Sequence, residues 1–80
     1  MHESHLIEPI IKGISEHAKK EGAKKVSKLI LKIGELNCLN EDSFKATFSL
    51  LSKGTMLDGA KLEIVFFPGS RIEVVSFDVE

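Results

Sequence analysis

The segment Val26–Glu35 constrains the fold of this chain more than any other, because its side chains alternate with a period of two. One set is wholly apolar and the other is mixed: Leu29, Leu31 and Ile33 against Lys28, Ile30 and Lys32. Such alternation predicts a β-strand with one face buried. A lone strand cannot bury that face, so the segments on either side of it must fold over it.

Both neighbouring segments have the apolar spacing of amphipathic helices. The first ends near Lys20, with Gly22 placed as a left-handed cap. Because Pro9 is tolerated only near a helix start, we expect regular helical bonding to begin near Leu6 to Glu8 and to leave residues 1–4 as a short arm. The second helix is predicted from an Asn40 N-cap to Gly54. The apolar positions are Leu6, Ile7, Ile10, Ile11, Ile14 and Ala18 in the first helix and Phe44, Thr47, Phe48 and Leu51 in the second.

Two further strands are predicted after the second helix, Lys61–Phe67 and Arg71–Glu80, separated by the turn Pro68-Gly69-Ser70. The helical connection makes the first two strands parallel, and the short turn predicts an antiparallel hairpin for the last two. The expected fold is therefore an α+β two-layer arrangement in the order helix-strand-helix-strand-strand. It has a mixed three-stranded sheet with two helices on one face. The third strand is the longest and most apolar, so we expect it in the middle.

Two helices can cover only one face of this sheet. The residues expected on the opposite face are Ile30, Val65, Phe67, Val75, Phe77 and Val79, unless a bulge near Val74-Val75 redistributes them. An apolar face of that size indicates a partner, and a homodimer through the sheet is one expectation. The alternative is that strand ends and the bulge hide most of it.

The composition excludes several classes of function. Eighty residues with a net charge of -1 predict one small domain without an electrostatic nucleic-acid footprint. A single cysteine, Cys38, excludes an internal disulfide and a four-cysteine zinc site. No membrane span or signal pattern is present, so we expect a cytoplasmic protein. The absence of a nucleophile–base pair or phosphate-binding loop predicts a protein that is not an enzyme.

Residues at the start of the chain carry the most unusual chemistry. His2 places an imidazole beside the Met1 amine and two backbone amides, and nitrogen donors of this kind suit nickel and copper. Because His2 is bulky, Met1 should resist removal. Glu3 and His5 add a carboxylate and a second imidazole. The alternative is that His2 is an ordinary surface residue. Structural or solvated roles are expected for the remaining candidates, with Cys38 as a partly buried filler and His17 as a solvated side chain. Glu35 could be a ligand, but a carboxylate at the end of a strand is more often solvated or capping.

Five segments along the chain carry a family resemblance: Met1-His2-Glu3, Ala18–Lys24, Ile33–Leu36, Lys53–Thr55 and Gly59–Ile64. In this order they resemble the HypA/HybF family of nickel-incorporation proteins, metallochaperones for [NiFe]-hydrogenase and often for urease. The resemblance implies one Ni(II) ion held by the Met1 amine, the backbone nitrogens of His2 and Glu3 and the His2 imidazole, with the Glu3 side chain nearby. It also implies a HypB-like GTPase and the hydrogenase large subunit as partners.

The chain also departs from the family pattern. Relatives carry a zinc domain with two Cys-x-x-Cys pairs between the last two strands, and here the turn at 68–70 stands in its place. We therefore expect residues 1–80 to form a single HypA-like nickel-binding domain without structural zinc. His5 stands where relatives commonly have Ser, and it could replace a lost ligand. Two functions stay open: a nickel metallochaperone-like domain, and a metal-free protein-interaction or regulatory module that keeps the scaffold.

Overall fold

The computed structural model describes residues 4–80. It contains two α-helices, three β-strands and a short 3-10 turn. The elements are α1 (Ser4–Lys20), β1 (Val26–Gly34), the 3-10 turn (Glu35–Asn37), α2 (Glu41–Ser52), β2 (Lys61–Phe67) and β3 (Ile72–Val79). The predicted α+β class and the order helix-strand-helix-strand-strand are confirmed.

The sheet has the strand order β2-β1-β3, with β2 parallel and β3 antiparallel to β1. The parallel pair was predicted, but the expected hairpin and the central position of the third strand are wrong. Within residues 4–80, β2 and β3 share no ladder, because the connection between them crosses the end of β1. The Gly34 N–H donates to the Arg71 carbonyl (2.8 Å), and the Leu36 N–H donates to the Gly69 carbonyl (2.9 Å).

The hydrophobic core lies between the central strand and the two helices. The buried apolar side chains are Ile7, Ile11, Ile14, Ala18, Val26, Leu29, Leu31, Ile33, Phe44, Phe48 and Leu57. The predicted alternation of β1 is confirmed, since Leu29, Leu31 and Ile33 are at most 1% exposed. The Asn40 cap is also confirmed, because its Oδ1 accepts a hydrogen bond from the Ser43 N–H at 2.9 Å.

Helix α1 begins at Ser4 rather than near Leu6 to Glu8, and Pro9 lies inside it. A proline here cannot donate the usual hydrogen bond to the carbonyl four residues earlier. The buried residues Ile7 and Ile11 lie on either side of Pro9 in sequence and pack into the same core. This packing holds both turns in helical geometry. The rest of the expected arm, residues 1–3, lies outside the described residues.

A bulge in β3 changes which residues face the helices. Leu31 pairs with Val74 and Ile30 pairs with Ser76, so Val75 is one extra residue in the strand. The predicted bulge is thus confirmed, and beyond it the faces of β3 are exchanged. Phe77 lies opposite Leu29, on the helix side of the sheet.

The exception that the sequence allowed for a bulge near Val74-Val75 therefore applies: Phe77 leaves the opposite face, and so does Val79, which lies opposite the buried Val26. Ile30 does lie on that face, because it alternates with the buried Leu29 and Leu31. Val65 and Phe67 lie there as well, since they pair with Lys32 and Gly34 of β1, which alternate with the buried Ile33. Charged side chains accompany them. Lys28 pairs with Glu63 at 3.4 Å, and the Lys32 Nζ lies 4.9 Å from the Phe67 ring centroid. The face is mixed rather than continuously apolar.

Candidate metal-binding end

The topology places the start of α1 at the end of the sheet where β1 finishes. The ring of His17, near the end of α1, packs edge-on against Phe77 with the centroids 5.4 Å apart. Phe77 in turn pairs with Leu29, in the first half of β1. Helix α1 therefore runs antiparallel to β1, and its first turn lies toward Gly34. We call this end of the molecule, where β1 finishes and α1 and α2 begin, the helix-start end.

His5 is the one predicted ligand among the described residues. It lies in the first turn of α1, directly after Ser4, and its side chain is exposed. Met1, His2 and Glu3, the other three predicted ligands, lie outside the described residues. Among residues 4–80, there is no group of three or more His, Cys, Asp or Glu side chains placed to hold a metal ion.

The connection between β2 and β3 also lies at the helix-start end, where one side chain binds it to the end of β1. Asn37 Nδ2 donates to the Gly34 carbonyl at 3.1 Å and to the Ser70 carbonyl at 2.9 Å. The connection passes so close to Gly34 that a Cβ there would overlap the Gly69 carbonyl group. The glycine and the asparagine together fix the path of the chain. Sequence reasoning missed both residues, although a glycine ending a buried strand is a signal of close backbone approach.

Cys38 follows the 3-10 turn in an unusual conformation. Its φ is 53° and its ψ is 36°, the left-handed region that few non-glycine residues adopt. The Cys38 N–H donates to the Glu35 carbonyl at 3.1 Å, which closes the turn. The side chain is exposed, so the expectation of a partly buried filler is wrong. The left-handed turn points the cysteine away from the core.

The remaining candidates have ordinary surroundings. His17 is exposed and its Nε2 lies 3.1 Å from the Glu21 carboxylate, one helical turn later. It lies near the opposite end of α1 from His5. Glu35 is exposed at the start of the 3-10 turn, in agreement with its predicted solvated role.

No helix formed by residues 4–80 is long and apolar enough to cross a membrane.

Comparison with protein families gives one match that spans most of the chain. The model of the hydrogenase/urease nickel-incorporation metallochaperone family HypA matches residues 1–72. The hydrogenase maturation factor HypA of Nostoc punctiforme is 41% identical over 69 residues, which are 86% of this chain and 58% of the relative. The HypA of Archaeoglobus fulgidus is 41% identical over 64 residues, 80% of this chain and 58% of the relative. The chain thus spans under two thirds of the length of these relatives.

Solved structures agree on the fold. The Ni metallochaperone HypA from Helicobacter pylori, determined in solution, aligns with a TM-score of 0.83 at 19% identity. The alignment covers 99% of this chain and 97% of that structure. A second solution structure of a HypA protein gives the same TM-score at 20% identity. The order of helices and strands, including the central β1, is therefore that of a known fold.

Proposed function

This chain belongs to the HypA family, and from that membership we propose that it is a nickel-binding, metallochaperone-like domain. It accepts one Ni(II) ion at its amino terminus and delivers the ion during maturation of [NiFe]-hydrogenase or urease. The observation that carries this proposal is the extent of the family match. The match starts at residue 1 and so includes the Met1-His2-Glu3 segment. The ion is cargo, and its transfer needs ligand exchange rather than bond-making catalysis.

The proposed ligands are the Met1 amine, the backbone nitrogens of His2 and Glu3 and the His2 imidazole, with the Glu3 carboxylate nearby. Deprotonated amide nitrogens combined with an amine and an imidazole favour square-planar Ni(II). His5 is proposed as an additional imidazole. Its exposure in the first turn of α1, two residues after Glu3, supports this role.

A paired nickel titration tests the terminal site. Calorimetry at neutral pH compares the protein with its native Met1 amine and the same protein carrying a short N-terminal extension. We expect one equivalent of nickel to bind the native form and binding to weaken at least tenfold in the extended form. The extension converts the amine to an amide, which removes a basic donor. Equal nickel uptake by the two forms would contradict the terminal-amine ligand set.

Substitution of single histidines tests the other donors. His2→Ala should weaken nickel binding as strongly as the extension. His5→Ala should weaken it only if this imidazole joins the ligand set, and unchanged affinity would remove His5 from the proposal. His17→Ala is the matched control, since His17 is an exposed histidine on the same helix, about 18 Å farther along it.

The partners and domain organisation are proposed from the family. A HypB-like GTPase and the hydrogenase large subunit are the proposed partners, and residues 1–80 are proposed to act as one nickel-binding domain. The connection at 68–70 is proposed to stand in the place of the zinc domain. It is fastened directly to the end of β1, which supports a closed fold without an inserted domain. The competing function, a metal-free interaction module, predicts no tight nickel binding by the native-terminus form.

A further inference from the structure

A groove on the helix side of the protein has no role in the proposed nickel site. It has a volume of about 650 Å³ and runs between α1 and the loop that follows α2. Its lining includes the buried or half-buried apolar side chains of Ile11, Leu51 and Met56, which we call its floor. It also includes the exposed side chains of Lys12, Lys19 and Lys24, which we call its rim. We propose that this groove binds an acidic segment of a partner protein.

The charge of the rim is the first argument. Within residues 4–80, Lys12, Lys19 and Lys24 take part in no ion pair, whereas other lysines do: Lys25 with Glu80, Lys28 with Glu63 and Lys45 with Glu41. One acidic residue, Glu8, lines the groove against these three lysines. The groove is therefore positive although the whole chain has a net charge of -1. A concentration of one charge in a groove attracts and orients an oppositely charged partner.

The loop that follows α2 forms the wall of the groove opposite α1, and its rigidity is the second argument. The Gly54 N–H donates to Asp58 Oδ2 at 3.1 Å, and Thr55 Oγ1 donates to the Ser52 carbonyl at 2.7 Å. The Met56 carbonyl accepts a hydrogen bond from the Val26 N–H at 2.8 Å, which ties the loop to the sheet. A wall already held in place needs little ordering when a partner binds, and this lowers the entropic cost of association.

The same hydrogen bonds argue against a compact anion such as phosphate as the occupant. Phosphate sites in loops use backbone N–H groups that point together at the ion. Here the Gly54 N–H is engaged by Asp58, and the Thr55 N–H donates to the Ser52 carbonyl at 3.0 Å.

The spacing of the rim residues favours an elongated occupant instead. Glu8, Lys12, Ser15 and Lys19 follow one another at intervals of three or four residues, so they form a single row along α1. This row is about 16 Å long. Acidic side chains spaced along a segment can meet the lysines while an apolar side chain between them covers the floor. Glu8 at one end sets the direction, with the acidic end of the partner toward Lys19 and Lys24.

The test uses a fluorescent synthetic peptide as the probe, about 16 residues long, with glutamates on either side of two leucines on one helical face. We expect it to bind the full chain and to shift the methyl NMR signals of Ile11, Leu51 and Met56. A second peptide with both leucines replaced by glutamine should bind more weakly. Shifts confined to other methyl groups would overturn the proposal.

Charge-matched variants separate the groove from general attraction. The triple variant Lys12→Gln/Lys19→Gln/Lys24→Gln should weaken peptide binding about tenfold, as expected for three exposed charge pairs. The control variant Lys28→Gln/Lys32→Gln/Lys61→Gln removes the same charge from the opposite face of the sheet, and it should weaken binding less than twofold. Equal losses in the two variants would show attraction by net charge alone and would overturn the proposal.

Two other probes identify a different occupant. Inorganic phosphate and vesicles of mixed phosphatidylcholine and phosphatidylglycerol are tested against the same two variants. If either of them binds through Lys12, Lys19 and Lys24 and the peptide does not, the proposal of a protein partner is overturned. Binding of the peptide alone supports it.

Discussion

A single methyl group at Gly34 tests the strand order of this protein. Gly34 ends β1, and the β2–β3 connection passes directly over it. Its φ of −69° and ψ of 133° are extended backbone angles that alanine adopts without strain. A Cβ in Gly34→Ala would nevertheless overlap the Gly69 carbonyl group and lie 2.6 Å from the Ser70 backbone nitrogen. Steric contact alone therefore determines the effect of this substitution.

The cost follows from the hydrogen bonds that hold the connection. To accept the methyl group, the connection must move by about 1 Å, because carbon atoms pack best at about 3.5 to 4 Å. This movement disrupts the bonds to the Arg71, Gly69 and Ser70 carbonyls, at 2.8, 2.9 and 2.9 Å. At about 1 kcal/mol for each hydrogen bond, Gly34→Ala should lower the free energy of unfolding by about 3 kcal/mol. That is a large share of the about 4 to 12 kcal/mol expected for a domain of this length.

Urea denaturation followed by far-ultraviolet circular dichroism measures this loss. Gly13→Ala is the matched control, since Gly13 is in the middle of α1 and a Cβ there meets nothing within 4 Å. It should raise the free energy of unfolding by about 0.5 to 1 kcal/mol, because alanine is the better helix former. If Gly34→Ala stayed within about 0.5 kcal/mol of the unsubstituted protein, the connection would not run over β1 and the reasoning would be refuted.

Two further substitutions are followed by the same denaturation assay. Asn40→Ala removes the acceptor of the Ser43 N–H bond and should lower the free energy of unfolding by about 1 kcal/mol. Asn40→Asp keeps an acceptor and should lower it little. Equal losses in the two variants would argue against the cap. Phe77→Ala should cost about 2 kcal/mol because its ring packs on the helix side, and Val65→Ala on the opposite face should change stability by less than about 0.5 kcal/mol. A larger loss of stability in Val65→Ala than in Phe77→Ala would place Phe77 on the outer face.

Local patterns in the sequence were sufficient to predict the helices and strands. The alternation along β1 predicted which side chains are buried, because the period of two is a property of the strand itself. Asn40 and the acidic residues after it predicted the start of α2 for a similarly local reason. The predicted bounds of β2, Lys61–Phe67, agree with the structure.

Strand order was beyond the reach of these local patterns. The segment Pro68-Gly69-Ser70 has the composition of a hairpin turn, and a hairpin would also satisfy the alternation of β2 and β3. What excludes it is a contact between residues far apart in sequence, Gly34 against Gly69. The bulge at Val75 illustrates the same limit, because one extra residue moves every later side chain of β3 to the other face. The sequence allowed for a bulge near Val74-Val75 that would redistribute Phe77, but its local pattern did not decide whether the bulge forms.

The central position of β1 links the fold to the proposed nickel site. Both neighbouring strands bond to β1. The end of β1 at Gly34 is also held by the β2–β3 connection and by Asn37. Helix α1 runs antiparallel to this strand and begins at the same end. In the proposed function, the ion gains and loses ligands at the residues before α1, while the sheet is a support that does not have to rearrange. The two roles are separable by experiment. A terminal extension alters the nickel donors without changing the core, and Gly34→Ala alters the supporting sheet without removing a nickel donor.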